Sequence, residues 1–347
     1  MSLMVSALEA TGTDFSSFKH VKIERRTLRP DDVAIDIKYT GICHSDIAQV
    51  ANPNAPHPMV PGHEITGIVS AVGINVKKFK IGDRVGVGCF VDSCGHCKYC
   101  QAGQEQFCEK GVVSVFVGND YDGHPSYGGY SQAIIVKEDF VISIPDQISL
   151  AEAAPMMCAG ITTYNPLKRY GIGKGSKVAV VGLGGLGHIA VQFAHSMGAT
   201  VTVLGHSPAK RDEAKQFGAD QYLILKNDND FADYKENFDF ILNTVAVSLN
   251  LDQYLSLLKV NGIFCYVGLT PSEQHFNVLQ LFDKQRTITA SNVGGIKLTQ
   301  EMINYAASHD IHPQIEMIGI DEVPNAYRRI LNSDVHYRFV IDMSTLK

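Results

Sequence analysis

Residues 177–187 read KVAVVGLGGLG, the most informative stretch in the chain. A strand-like pentapeptide leads into a Gly-x-Gly-x-x-Gly turn formed by Gly182, Gly184 and Gly187, and apolar residues then recur at helical spacing from Ile189 to Met197. A strand, a glycine-rich turn and a helix in this order are typical of a doubly wound α/β domain that binds a dinucleotide. We therefore predict such a domain around this stretch.

Each glycine of the turn has an expected role. Gly182 permits the tight turn, Gly184 lets the backbone approach a pyrophosphate, and Gly187 lets the helix pack closely on the strand. Backbone N–H groups at the start of the helix, including those of Gly185 and Leu186, are then expected to hold the phosphates. The alternative is a purely structural glycine-rich turn.

The strand that follows, Thr200 to Leu204, ends in the segment GHSPAKR, residues 205–211. An acidic residue at that position would bind the ribose 2′-hydroxyl of NAD, but none occurs before Asp212. Three side chains of the segment can instead donate hydrogen bonds to a 2′-phosphate: those of Ser207, Lys210 and Arg211. The pattern predicts NADP(H) as the cofactor, the alternative being that the two basic residues form a solvated helical face.

The rest of the chain divides into two patterns. The first 150 residues contain short alternating runs bounded by Gly and Pro, such as Val33 to Ile37 and Gly67 to Gly73, and are expected to be rich in β-strands. After that, strand-like runs alternate with helical ones, for example at 238–244 and 262–268, which indicates βαβ units and a parallel sheet. A length of 347 residues suits two domains of ordinary size.

Composition excludes several classes of partner. The formal net charge of −6 gives no electrostatic reason to expect binding to nucleic acid or to an anionic membrane. The start of the chain lacks the basic and apolar character of a signal peptide, and the most apolar stretch, Val178 to Gly187, is far shorter than the roughly 20 residues of a bilayer span. We expect a cytoplasmic protein.

Half of the eight cysteines crowd into one segment, Cys94-x2-Cys97-x2-Cys100-x7-Cys108. Four thiolates satisfy a tetrahedral zinc ion and leave no open position, so the spacing predicts a structural zinc site. Such crowding without an export signal favours metal binding in a reducing compartment. Reduced free cysteines, disulfides and an iron–sulfur cluster are the alternatives.

Three short motifs, far apart in the sequence, occur together in one known protein family. They are GICHSD at 41–46, PGHE at 61–64 and CAGITTY at 158–164. With the cysteine-rich segment and the glycine-rich turn, they resemble the medium-chain zinc alcohol dehydrogenases, most closely the cinnamyl alcohol dehydrogenase branch and its bacterial relatives. The resemblance covers nearly the whole chain, in the expected order.

The resemblance implies a second, catalytic zinc ion. Cys43, His63 and Cys158 would bind it and leave a fourth position open, as catalytic zinc requires. Glu64 would lie beside the metal and alternate with water as a ligand. The alternative is that Glu64 is only the buried partner of a salt bridge. Asp46 would orient the His63 imidazole.

The same resemblance implies a proton path and cofactor contacts. Ser45 matches the hydroxyl that passes the alcohol proton onward, but Ala48 stands where the family commonly has a histidine. Ordered water, His44 or His57 would then take the next step. His44 and Thr162 are also expected to contact the cofactor. Thr162 and Thr163 correspond to the segment that passes the nicotinamide ring, the alternative being simple N-capping or helix packing.

For the fold, the resemblance implies a GroES-like β-rich catalytic domain made of residues 1–153 and 293–347. A Rossmann cofactor-binding domain, residues 154–292, would be inserted between them, with the active site in the cleft. Relatives are usually homodimers through the cofactor domain, so we expect a homodimer.

The predicted function is a zinc-dependent oxidoreductase that transfers hydride between NADP(H) and a primary alcohol or aldehyde. We expect a broad range of aromatic and aliphatic aldehydes, because the chain has no Trp to line a pocket. An NAD-linked polyol dehydrogenase of the same superfamily, a zinc-free quinone or enoyl reductase, and a non-catalytic zinc- or nucleotide-binding regulator are the rivals.

Overall fold

The computed structural model describes residues 2–270 and 272–347. The strands, in chain order, are β1 (Leu3–Ala10), β2 (Phe18–Arg25), β3 (Asp32–Gly41), β4 (Ile65–Val72), β5 (Arg84–Val87), β6 (Phe90–Asp92), β7 (Val113–Ser114), β8 (Ala133–Lys137), β9 (Ile142–Ser143), β10 (Lys177–Val181), β11 (Thr200–Leu204), β12 (Gln221–Leu223), β13 (Phe238–Asn243), β14 (Leu258–Tyr266), β15 (Thr287–Ala290), β16 (Ile315–Gly319) and β17 (Arg338–Asp342). The α-helices are α1 (His44–Ala51), α2 (Lys98–Gln101), α3 (Leu150–Pro155), α4 (Ile161–Arg169), α5 (Gly187–Ser196), α6 (Arg211–Gln216), α7 (Asp228–Ala232), α8 (Leu251–Ser256), α9 (Leu279–Phe282), α10 (Ile296–Ser308) and α11 (Val323–Leu331).

The chain forms two compact units. The first comprises Met1–Ile161 and Gly294–Lys347, and the second comprises Thr162–Val293. The second unit is therefore a continuous segment inserted into the first. No helix in the part of the chain that the structure describes is both long enough and apolar enough to cross a membrane.

The first unit is built on a mainly antiparallel sheet in the order β16-β17-β3-β4-β5-β9, with β8 also paired to β3. Strand β3 shows why the sequence forms it: Ile35 and Ile37 are buried in the core, whereas Asp36 and Lys38 between and after them are exposed. This alternation of period two buries one face of the strand. The strands predicted at 33–37 and 67–73 correspond to β3 and β4.

One strand of this sheet comes from the end of the chain. β17 lies between two neighbours, parallel to β16 and antiparallel to β3, with Val340 opposite Gly41 and Asp342 opposite Tyr39. The sheet of the first unit therefore depends on residues about 300 positions apart in the sequence.

The second unit contains a six-stranded parallel sheet in the order β12-β11-β10-β13-β14-β15. β10 is central, and its residues Val178, Ala179 and Val180 are fully buried, as expected for a parallel strand covered on both faces. The strand order reverses between β10 and β13, and ligands of doubly wound sheets bind at such a switch point. This is the predicted doubly wound arrangement.

Local elements follow the predicted patterns with small shifts. The helical spacing from Ile189 to Met197 corresponds to α5, which ends one residue before Met197. The segment after β11 forms a 3₁₀ turn, Pro208–Lys210, that begins at Pro208 and leads directly into α6. The strand expected at 262–268 begins earlier, at Leu258.

A π-helical turn, Met156–Gly160, separates α3 from α4. Pro155 ends α3 and all five residues of the turn are buried. π turns inside helices are rare and often occur at functional sites. This turn carries Cys158.

Candidate metal centres and cofactor site

Three separate segments of the first unit bring four metal-binding side chains together. One donor atom each from Cys43, His63, Glu64 and Cys158 lies within 4.8 Å of the others. Cys43 directly precedes α1, His63 and Glu64 directly precede β4, and Cys158 lies on the π-helical turn. The two sulfurs, one imidazole and one carboxylate form a donor set that suits zinc.

Asp46 fixes the orientation of the His63 imidazole. Its Oδ1 atom lies 2.8 Å from Nδ1 of His63, and its carboxylate also accepts hydrogen bonds from the backbone N–H groups of Cys43 (2.9 Å) and Gly62 (3.1 Å). A carboxylate can only accept at this contact, so Nδ1 carries the hydrogen and the Nε2 lone pair is left for a metal. Burial opposes the imidazolium, but Asp46 raises the pKa of His63 well above its usual range.

The two thiols of the site are coupled. The hydrogen bond from Cys158 holds the pKa of Cys43 well below its usual range, and the same contact with Cys43 raises the pKa of Cys158 well above it. Zinc binds thiolates, so a metal ion at this site would accept both sulfurs in the deprotonated form.

Glu64 is a buried carboxylate that makes an ion pair with the buried Arg338 through its Oε1 atom. Its other oxygen, Oε2, is buried and accepts no hydrogen bond from the described residues. Burial raises the pKa of Glu64 to about 8, although the Arg338 charge works against this shift. Glu64 therefore offers the cluster a buried carboxylate with one oxygen free of hydrogen bonds from the described residues, which is consistent with a cation at this position.

The second cluster consists of the sulfur atoms of Cys94, Cys97, Cys100 and Cys108, which also lie within 4.8 Å of one another. The Sγ atoms of Cys97 and Cys100 are 3.5 Å apart, well beyond a disulfide bond of about 2.05 Å, and all eight cysteines are free. Disulfides are thereby excluded here.

Backbone N–H groups support the sulfurs of this cluster. The amide of Cys94 donates to Sγ of Cys108, and the amide of Cys97 donates to Sγ of Cys94, both at 3.4 Å. Backbone hydrogen bonds at Cys100 and Glu109 lower the pKa of Cys97 to about 6. Donors that stabilise thiolates are what a four-sulfur zinc site needs.

The glycine-rich turn of the second unit has the geometry of a phosphate-binding loop. Gly182 has a φ of +88°, and a Cβ added to Gly187 would overlap the carbonyl oxygen of Gly182. A Cβ at Gly184 would meet nothing within 4 Å, so the turn is open on that side. The turn joins the end of β10 to the start of α5, at the switch point of the sheet.

The segment after β11 lies against this turn. Nζ of Lys210 donates a hydrogen bond to the carbonyl oxygen of Leu183 (2.8 Å), within the glycine-rich turn. Ser207 makes no side-chain capping hydrogen bond to the 3₁₀ turn that it precedes, and Arg211 is exposed. The structure thus places Lys210 against the turn that is predicted to hold the pyrophosphate.

Comparison with known proteins identifies the family. Residues 29–146 match the alcohol dehydrogenase GroES-like domain, and residues 185–308 match the zinc-binding dehydrogenase domain. The chain is 54% identical, over 95% of both chains, to the probable formaldehyde dehydrogenase AdhA of Bacillus subtilis, and 48% identical, over 93% of this chain and 94% of the relative, to the aldehyde reductase YahK of Escherichia coli. This chain belongs to the zinc-binding alcohol dehydrogenase family.

Solved structures agree with this family assignment. The chain superposes on the cinnamyl alcohol dehydrogenase (CAD) of Helicobacter pylori complexed with NADP(H) with a TM-score of 0.93, 41% identity and full coverage of both chains. The cinnamyl alcohol dehydrogenase SbCAD4 of Sorghum bicolor gives a TM-score of 0.94 at 37% identity, covering 99% of each chain. The predicted resemblance and the predicted fold class, a GroES-like domain with a Rossmann domain, are confirmed.

The predicted proton-path residues of this alcohol dehydrogenase lie at the start of α1. Oγ of Ser45 is 3.8 Å from Sγ of Cys43, and both Ser45 and His44 are exposed. Partial desolvation nevertheless lowers the pKa of His44. Both ring nitrogens of His57 lie 3.1 Å from backbone carbonyl oxygens, of Ala55 in the same loop and of Val50 in α1, so this ring is held between the loop and the end of the helix.

Thr162 and Thr163 are both buried, in the first turn of α4. They belong to the second unit of the alcohol dehydrogenase, as do the glycine-rich turn and the segment after β11.

Two residues of the alcohol dehydrogenase site were missed from sequence. Arg338 is far from every motif, and its only signal is a charged residue at the start of the apolar strand β17. Cys89 is partly exposed, and its thiol forms a hydrogen bond with that of Cys158, which lowers the pKa of Cys89. It therefore adds a third thiol beside the metal-binding cluster.

Proposed function

We propose that this chain is a zinc-dependent, NADP(H)-linked alcohol dehydrogenase and aldehyde reductase that acts on primary alcohols and on aromatic and aliphatic aldehydes. The proposal rests on one observation, the meeting of Cys43, His63 and Cys158 within 4.8 Å. Three protein ligands leave the open coordination position that separates catalytic from structural zinc sites. Relatives named as an aldehyde reductase and as NADP-dependent alcohol dehydrogenases support the same reaction class.

The residues of the chain have separate tasks in this reaction. When bound, zinc supplies Lewis acidity to the oxygen of the alcohol or aldehyde. Asp46 holds the His63 imidazole so that Nε2 faces the other donors. Oγ of Ser45 accepts the proton that leaves the substrate hydroxyl during oxidation and returns it during reduction. Ala48 cannot carry the proton further, so it passes from the exposed Ser45 to water or to His44.

Two zinc ions per chain are proposed. The catalytic ion would be held by Cys43, His63 and Cys158, with Glu64 as an exchanging ligand. The structural ion would be held by the four cysteines between 94 and 108, whose sulfurs lie within 4.8 Å of one another. Backbone N–H groups donate hydrogen bonds to two of these sulfurs. A four-thiolate site of this kind requires reduced cysteines, which favours a cytoplasmic location.

For the cofactor, we propose that N–H groups of the turn at 182–187 hold the pyrophosphate and that Ser207, Lys210 and Arg211 recognise the 2′-phosphate of NADP(H). The absence of an acidic side chain from residues 205–211 removes the usual partner of the NAD ribose. The same absence argues against the NAD-linked polyol dehydrogenase. The catalytic domain is proposed as residues 1–153 and 293–347, and the cofactor domain as residues 154–292.

A homodimer through the second unit is also proposed. β15 is the edge strand of the six-stranded sheet, and an edge strand offers unpaired backbone groups to another chain. Three apolar side chains close to it in sequence are largely exposed: Val278 (66%), Leu279 (56%) and Phe282 (79%). Exposed apolar patches of this kind mark protein interfaces.

The test is an aldehyde panel, including benzaldehyde, cinnamaldehyde and a medium-chain aliphatic aldehyde, with NADPH and with NADH. Zinc content is measured on the same preparation. We expect two zinc equivalents per chain and NADPH oxidation with several aldehydes. A protein that holds one zinc in the cysteine-rich segment and turns over none of the aldehydes would contradict the proposal.

A further inference from the structure

Gly205, at the end of β11, occupies the position from which an acidic side chain would reach the ribose of NAD. It does not have the positive φ that would itself require glycine. A Cβ added at this residue would overlap Oη and Cζ of Tyr222 and would lie 2.9 Å from its Cε2 atom. The Tyr222 ring, rather than the backbone conformation, is therefore what excludes a side chain at position 205.

Tyr222 is held in place from three directions. It lies on β12, where it pairs with Val203 of β11, and the N–H of Gly205 donates to the carbonyl of the next residue, Leu223 (2.9 Å). Its side chain is buried, at 7% exposure, which raises the pKa of its hydroxyl. The hydroxyl donates a hydrogen bond to the carbonyl oxygen of Ser207 (2.7 Å). Moving the ring aside would break the hydrogen bond to Ser207 and take the side chain out of its buried position.

We infer that Tyr222 determines cofactor specificity, an inference that rests on the proposed use of NADP(H). Its ring fills the space that an acidic side chain at position 205 would need. Its hydroxyl holds the backbone at Ser207, where the segment turns toward Lys210 and Arg211. One side chain thereby excludes the carboxylate that would bind a 2′-hydroxyl and positions the groups that would bind a 2′-phosphate.

Charge and position support this assignment. Lys210 is tied to the glycine-rich turn through Leu183, so the segment held by Tyr222 adjoins the pyrophosphate site. Burial lowers the pKa of Lys210, while Glu213 opposes this shift. Between Gly205 and Arg211 the charged side chains are positive, and Asp212 and Glu213 follow within α6.

An acidic residue at position 205, as in Gly205→Asp, would supply the carboxylate that binds the ribose of NAD. Alone, this change sets the new side chain against the fixed Tyr222 ring. We expect it to lower the melting temperature of the cofactor-free protein by several degrees and to weaken binding of both cofactors. The preference should move to NADH only when the ring is also removed, as in Gly205→Asp/Tyr222→Val.

The experiment is a set of variants: Gly205→Asp, Tyr222→Val, Tyr222→Phe, and Gly205→Asp combined with each Tyr222 change. Melting temperatures are measured without cofactor, and dissociation constants for NADPH and NADH by fluorescence titration. Tyr222→Phe is the matched control, because it keeps the ring and loses only the hydroxyl. We expect Gly205→Asp to lower the melting temperature when residue 222 is Tyr or Phe. When residue 222 is Val, the same change should have little effect on the melting temperature.

Tyr222→Phe alone should weaken NADPH binding by roughly fivefold and NADH binding less, since one hydrogen bond contributes about 1 kcal/mol. A Gly205→Asp variant that melts like wild type and already prefers NADH would overturn the role of Tyr222 while leaving the proposed function intact. Wild-type protein that binds NADH as well as NADPH would instead overturn the proposed cofactor, and with it the specificity role.

Discussion

The Nδ1 atom of His63 lies 2.8 Å from Oδ1 of Asp46, and both side chains are buried. Asp46 belongs to the first turn of α1, which also begins directly after Cys43. One carboxylate therefore orients the histidine and bonds the backbone of the neighbouring cysteine, so two of the proposed zinc ligands depend on it.

Asp46→Ala is expected to lower both zinc affinity and kcat by roughly 10- to 100-fold, the usual effect of removing the partner of a metal-binding histidine. The measurement is zinc retained after dialysis against a chelator, together with aldehyde reduction. Asp36→Ala is the control, because Asp36 is exposed on β3. Full zinc retention in Asp46→Ala would show that the histidine is oriented by something else.

The ion pair between Arg338 and Glu64 leads to a prediction about stability. Arg338→Met should lower the free energy of unfolding by about 3–5 kcal/mol, because it removes one partner of a buried ion pair and leaves Glu64 without its hydrogen bond. The double variant Arg338→Met/Glu64→Gln should recover most of this loss. Unfolding in guanidinium chloride measures both.

A second Arg–Glu pair provides the comparison. Arg329 and Glu316 are each about one-third exposed, at 31% and 34%. Arg329→Met should therefore lower the free energy of unfolding by about 1 kcal/mol or less. Equal losses for Arg338→Met and Arg329→Met would contradict the structural role assigned to the buried pair.

Separate loss of the two metal ions is the third prediction. Cys100→Ser should lose one zinc equivalent and lower the melting temperature, because metal binding and folding of a four-thiolate segment are coupled. Cys158→Ser should lose the other equivalent and the activity, with a smaller change in melting temperature. Zinc analysis and thermal unfolding of both variants provide the test. Two zinc ions retained in either variant would refute the ligand assignment.

The proposed dimer can be tested by placing charge on its apolar patch. Val278→Asp/Phe282→Asp should convert a species of about twice the chain mass of 37.9 kDa into one of 37.9 kDa by light scattering. Ile74→Asp is the matched control, because Ile74 is 92% exposed but belongs to the first unit. A monomer mass for the wild-type protein by light scattering would contradict the proposed dimer.

Much of the fold could be predicted because its signals are local. β10, the glycine-rich turn and α5 follow one another directly, and hydrophobic periodicity predicts each of them. The cysteine-rich segment is equally compact, since all four sulfurs come from fifteen residues. Short-range patterns of this kind need no knowledge of tertiary structure.

The remaining features could not be predicted because they depend on contacts between distant residues. Arg338 meets Glu64 across 274 positions, and nothing in either local sequence specifies the other. From sequence alone, Tyr222 is an ordinary strand residue. Its role depends on the pairing of β12 with β11, which sequence patterns do not predict. Only the family resemblance predicted that one metal site would contain Cys43, His63 and Cys158, because no spacing rule relates these three residues.

The position of β17 bears on how the protein is made. Because this strand lies in the sheet between β16 and β3, the first unit cannot close until residues 338–342 have been synthesised. The second unit is continuous and can fold earlier, as domains generally do during translation. Arg338 belongs to β17, so the buried carboxylate of Glu64 gains its counter-charge only after the whole second unit has been synthesised.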